Sequence, residues 1–219
     1  MRILHFDFDD LGYPDGGGQA RNNFEINRRL SHRHQITMVT SWYPGARNVT
    51  VEGIRYLRVG GGRFPWNHLA YFLAMRRVLK TIPHDLVVEN FTAPIAMGFT
   101  TLYTDKPVVA FVHWLFAKEM AQKYHLPFHW VQNLGLHFYK HFIVATPYFA
   151  GVIRKHTPRA TILINPIARE VRRQRSEFED NYFLFLGRID WHQKGLDFLL
   201  NAFALAANKT SIELRIAGG

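Results

Sequence analysis

Apolar residues along this chain gather in short runs, separated by stretches in which they recur every three or four positions. Runs at 3–8, 36–40, 86–89, 108–112, 142–145 and 162–164 are short and mostly apolar, as in strands buried on both faces. Residues 54–59 alternate as a further strand. Helical spacing appears at 19–30, through Phe24, Ile26 and Leu30, and again at 69–79 and 147–156. In the second of these helices Arg76, Arg77 and Lys80 gather at the C-terminal end, where the helix dipole favours cations. Strands alternating with amphipathic helices predict an α/β fold built on a doubly wound parallel sheet.

The rhythm breaks over 168–181, which holds Arg169, Arg172, Arg173, Arg175, Glu177, Glu179 and Asp180 and little to bury. This divides the chain into a first domain over 1–168, a linker over 169–180 and the start of a second domain over 181–219. In that last part the pattern restarts as a strand at 183–185, a helix at 196–207 and a strand at 212–217. One βαβ unit is too small to build a sheet covered on both faces, so the second domain is expected to be incomplete.

Composition narrows the class. At 219 residues with 47% hydrophobic and 15% aromatic content, the chain can fill a core, which excludes intrinsic disorder. The absence of Cys excludes a disulfide framework, a zinc ribbon and a cysteine nucleophile. A net charge of +10 favours polyanionic partners. The longest apolar run, 108–117, is interrupted by His113 and falls far short of the ~20 residues of a membrane span. The N-terminus passes straight into an apolar strand without signal-peptide features, so a cytoplasmic location is expected, with contact to the inner face of an anionic membrane.

Two segments carry candidate chemistry. Gly16-Gly17-Gly18 lies between the first strand and the first helix, where glycines admit a ligand close to the backbone and a helix N-terminus offers free N–H groups. The same glycines also suit a plain turn. Their spacing is neither the dinucleotide fingerprint nor a P-loop. The other segment, Gly187-Arg188-Ile189 through Lys194-Gly195, follows the first strand of the second domain, at the strand end where open α/β sheets bind ligands. Arg188 offers a planar fork and Lys194 a point charge to phosphate oxygens.

This second segment resembles the donor loop of GT-B glycosyltransferases of the retaining family 4 type, and the helix residues Leu196-Asp197-Phe198-Leu199-Leu200 continue the match. Gly17-Gly18-Gln19-Ala20-Arg21 is similar to that family's glycine-rich start of the first helix. His34-Gln35-Ile36-Thr37-Met38-Val39-Thr40 is similar to its second strand, and Val109-Ala110-Phe111-Val112-His113 to the strand that ends in its active-site His. Ile164-Asn165-Pro166-Ile167 departs from the family pattern, and the paired-glutamate motif has no counterpart in these 219 residues.

The resemblance implies two Rossmann-like domains and transfer of a sugar, with retention, from a nucleotide-diphosphate donor to a sugar or lipid-linked acceptor. It implies no metal and no cofactor beyond that co-substrate, the cations neutralising the departing diphosphate. Arg188, Lys194, Gly17 and Gly18 would meet the donor phosphates, and His113 would contact the transferred sugar as the catalytic residue. Glu89, Gln19 and Arg21 are weaker candidates for acceptor or sugar contacts. The competing expectation is an inactive relative that binds an acceptor or a membrane, or that forms half of a two-chain enzyme.

Other patterns read more plainly. His137 and His141 are expected four apart on one helix, and Pro127 separates His125 from His129, with no carboxylate between either pair to complete a metal site. Asp7, Asp9, Asp10 and Asp15 read as a solvated loop rather than an acidic pocket. The aromatic-rich stretch 114–139 suits contact with lipid headgroups. No nucleic-acid-binding motif accompanies the positive charge.

Overall fold

A computed structural model describes residues 1–13, 17–62, 66–91, 98–115, 117–118, 121, 125, 127–165, 182–187, 189, 191, 194–207 and 211–218. Two compact units emerge, Met1–Ala168 and Arg169–Gly219.

The first unit follows the predicted alternation. Its strands are β1 (Arg2–Phe6), β2 (Gln35–Ser41), β3 (Val49–Val51), β4 (Ile54–Val59), β5 (Leu86–Phe91), β6 (Val108–Val112), β7 (His141–Val144) and β8 (Thr161–Ile164). Its helices are α1 (Gly18–Ser31), α2 (Trp66–Thr81), α3 (Phe128–Leu136) and α4 (Pro147–His156). The strands form one sheet in the order β3-β4-β2-β1-β5-β6-β7-β8, with every pair parallel except β3 with β4. From β1 the chain winds outward to β2 and β4, then returns to β5 and winds the other way. The order therefore reverses between β1 and β5, and ligands in open α/β sheets bind outside the carboxyl ends of the strands at such a point.

Local chemistry explains the element limits. Thr146 caps α4 by accepting a hydrogen bond from the Phe149 N–H at 3.3 Å, and Pro147 begins the helix where no N–H partner is needed. The β3–β4 hairpin was not foreseen. Val49 and Val51 are exposed on an edge of only three residues, and Glu52 and Gly53 both take positive φ (50° and 78°), the geometry of a tight two-residue hairpin. Gly60 (φ 79°) lets the chain leave β4 close to α2, because a Cβ there would lie 2.8 Å from the Tyr71 backbone nitrogen. The first strand ends at Phe6 rather than at residue 8, and α2 extends beyond 69–79 at both ends.

Both sheet faces are covered. Ile3, Ile36, Met38, Ile54 and Tyr56 pack with Phe24 of α1. Leu4, Phe6, Val87, Ala110 and Val112 pack on the other face with Tyr71 and Met75 of α2 and Phe149 and Ile153 of α4. The second unit pairs β9 (Tyr182–Leu186) in parallel with β10 (Glu213–Ala217) through α5 (Leu196–Ala207).

Candidate active site

Side chains alternate across a strand, so neighbours in sequence serve opposite faces of the sheet. Along β1 and just past it, Leu4 and Phe6 enter the apolar core on the α2 side, while His5 and Asp7 turn toward α1. Asn90 of β5 meets the same face through His5. Across from them α1 presents Asn23 and Asn27, one helical turn apart and fully buried. The carboxyl ends of β1, β5 and β6 thus meet α1 through polar side chains, where β2 and β4 meet it through apolar ones.

Hydrogen bonds join these groups. Asn23 Nδ2 donates to Asp7 Oδ2 at 2.6 Å, and Gln19 Nε2 donates to Asp7 Oδ1 at 3.1 Å. His113, one residue past β6, places its Nε2 3.2 Å from Asn23 Oδ1. Asn27 Nδ2 lies 2.9 Å from His5 Nδ1, and His5 Nε2 lies 3.1 Å from Asn90 Oδ1. Asn90 Oδ1 can only accept, so His5 Nε2 is the donor to it, while His5 Nδ1 faces both the Nδ2 and, at 3.2 Å, the Oδ1 of Asn27.

Burial sets the charges. It raises the Asp7 carboxyl pKa, opposed by His5 and by the amide hydrogen bonds. Burial foremost, with His5 adding repulsion, lowers the His113 imidazole to about 3, so the ring is neutral at physiological pH.

On the opposite face Glu89 is 1% exposed and accepts from the Thr100 backbone N–H at 3.1 Å, from the Thr100 hydroxyl and from the Gly98 N–H. Burial raises its pKa, and the Thr100 hydrogen bonds oppose the shift. Tyr71 reaches under the site, its hydroxyl 2.9 Å from the backbone oxygens of both Asp7 and Val39.

A sequence profile of Glycosyltransferase Family 4 matches residues 16–168. The chain belongs to glycosyltransferase family 4. Among solved structures, the crystal structure of the glycotransferase of kitacinnamycin is similar to it, with a TM-score of 0.59 at 13% identity. That similarity covers 100% of this chain and 66% of the other, so the chain spans just under two thirds of that neighbour's length. At this identity the likeness shows the fold, which is the Rossmann-like α/β architecture of GT-B proteins. No curated protein matches the sequence.

Within this family 4 domain the expected residues take different places. Gly17 is the N-cap of α1 and Gly18 its first residue, with no side-chain cap, and among the described residues a Cβ on either glycine would meet nothing within 4 Å. Among those residues the helix start is therefore open to a neighbour. Gln19 and His113 join one network through Asp7 and Asn23. Arg21 is exposed, 3.4 Å from Glu25 and over the Phe24 ring. Glu89 spends its carboxylate on internal donors instead of joining the α1 side. Lys194 is exposed in the second unit, and Arg188, Gly16 and residues 169–180 lie outside the described residues.

Two expectations are corrected. Asp7 and Asp10 are each 2% exposed rather than solvated. Asp10 accepts from the Gly12 N–H at 2.7 Å, from Thr40 at 3.1 Å, from Tyr43 at 3.2 Å and from Arg58 Nε at 2.8 Å. His137 and His141 do not share a helix, because α3 stops at Leu136 and His141 begins β7. Asn23, Asn27, His5 and Asn90 were missed. Their signal was available: His5 and Asp7 alternate with Leu4, Phe6 and Phe8, and Asn23 and Asn27 are spaced to share a helix face.

Proposed function

We propose that the protein is a retaining, metal-independent glycosyltransferase that moves a sugar from a nucleotide-diphosphate donor to a sugar or lipid-linked acceptor. The carrying observation is that His113 stands at the carboxyl end of β6 and is joined through Asn23 to α1, whose N-terminus is uncapped and open among the described residues, and that His113 and α1 both lie within the region matched by the family profile. In this reading His113 contacts the transferred sugar, and the backbone at Gly17 and Gly18 approaches the donor phosphates. Arg188 and Lys194 balance the negative charge that develops as the diphosphate departs, the role a divalent cation would otherwise fill. Gln19 and Arg21 stand on the first turns of α1, next to where the acceptor would enter. Glu89 serves the reading better as a brace for residues 98–100 than as an acceptor contact, since its oxygens are already engaged.

An anionic membrane surface completes the proposal. Trp66, Leu69 and Leu73 are exposed along α2, ahead of Arg76, Arg77 and Lys80, and Trp130 and Leu134 are exposed on α3. Among the described residues no helix is long and apolar enough to cross a membrane. Sugar transfer by the complete protein, assayed in EDTA with nucleotide-diphosphate sugars, tests the activity. R188A and K194A are each expected to lower turnover by about 100-fold or more, the scale on which removing one transition-state donor acts. Unchanged turnover in both would remove these cations from the site, and no turnover in the complete wild-type protein would leave a binding role.

A further inference from the structure

Asn23 is fully buried, so its amide must find every partner inside the protein. Its Nδ2 points at Asp7 Oδ2 at 2.6 Å, while the other Asp7 oxygen already accepts from Gln19. With Nδ2 held there, Oδ1 faces His113 Nε2 at 3.2 Å, and an amide oxygen can only accept. The imidazole must therefore be the donor. We propose that Asn23 is a positioning residue for His113: anchored by Asp7, it keeps the imidazole proton on Nε2 and leaves Nδ1 as a hydrogen-bond acceptor for a sugar hydroxyl.

The proposal rests on the reading of His113 as a sugar contact. A neutral imidazole carries a single N–H, and among the described residues no hydrogen bond reaches His113 Nδ1 while the residue is not fully buried. An unprotonated nitrogen suits a hydroxyl donor and repels a phosphate oxygen, so the arrangement selects which part of a nucleotide sugar meets this ring. The titratable groups around it are His5 on β1, which opposes its protonation, and Asp7, one amide away. Phe111, with its ring centroid 4.1 Å from the imidazole, limits rotation about χ2.

The test is a long-range 1H–15N spectrum of histidine-labelled complete protein, with His113 assigned through H113Q. The wild type should show the proton on Nε2 and no protonation from pH 8 to 5. A proton on Nδ1, or a midpoint above pH 6, overturns the proposal. N23A should mix the tautomers and lower kcat by about 10- to 100-fold, with a smaller change in KM, as expected for a misplaced group.

The exchange D7N/N23D keeps the hydrogen bond with donor and acceptor reversed and puts a carboxylate beside His113. It should restore the Nε2 proton and move the His113 midpoint into the range pH 6–8, adding an acidic limb to the rate profile. If N23A does not fold, the exchange alone decides, and a wild-type titration in it overturns the proposal. Full transfer by H113Q would remove the sugar-contact reading whatever the spectrum shows. An inactive H113Q with the wrong tautomer in the wild type would remove only the role of Asn23.

Discussion

Tyr71 carries its hydroxyl to the floor of the site and, having one proton, shares it between two carbonyl oxygens at 2.9 Å. Burial foremost, with the nearby Asp7 and Glu89 carboxylates, raises its pKa well above 10, which keeps the group a donor at any working pH. Y71F removes that donor without changing ring packing and leaves both carbonyls short of a partner. The expected loss is about 1–2 kcal/mol in urea unfolding. Because Asp7 is one of the two acceptors, the Asn23–Asp7 pair should loosen as well. A stability equal to wild type would show that other groups satisfy those carbonyls.

Among the elements, α2 shows most clearly how one helix serves two environments. Asn67, Tyr71, Met75, Val78 and Leu79 are buried, while Leu69 and Leu73 are 50% and 65% exposed on the opposite side and lead toward Arg76, Arg77 and Lys80. An apolar stripe ending in cations is complementary to an anionic lipid surface, burying hydrocarbon while the cations meet headgroups. The complete protein is therefore expected to sediment with vesicles containing phosphatidylglycerol at low salt. L69E/L73E should abolish most of that binding without loss of fold, since neither side chain enters the core. Equal binding of wild type and double variant would remove this face as the contact.

For the whole first unit, the polar network couples stability to pH. The folded pKa of His113 lies below the unfolded value of about 6.5, so on acidification the unfolded chain takes up the proton first. The stability associated with a neutral His113 is full above pH 6.5 and is lost progressively as pH falls toward about 3. By pH 5 that loss is about 2 kcal/mol. Asp7 and Glu89, whose pKa values are raised, act in the opposite direction and are present in both proteins when wild type is compared with H113Q. The difference in unfolding free energy between pH 7 and pH 5 should accordingly be about 2 kcal/mol less acid-sensitive in H113Q. Equal acid sensitivity would mean that His113 is solvated.

Hydrophobic patterning alone determined the alternating strands and helices and the parallel sheet, because buried strands and amphipathic helices write different apolar periods into a chain. The helix at Pro147–His156 was legible to the residue, since Thr146 and Pro147 mark its start. The exposed hairpin strand Val49–Val51 and α3 were not, because pairing and packing make them elements where their own pattern is short or irregular. His113 could be singled out by its place after an apolar strand, and the glycines by their place before a helix. What the imidazole does was decided only in three dimensions. Asn23 and Asp7 lie 90 and 106 residues away from it, and only a doubly wound sheet with α1 laid across β1 and β6 brings an amide, a carboxylate and that ring within hydrogen-bonding distance. Burial there costs each polar group its water, and each therefore needs a partner that no local pattern reveals.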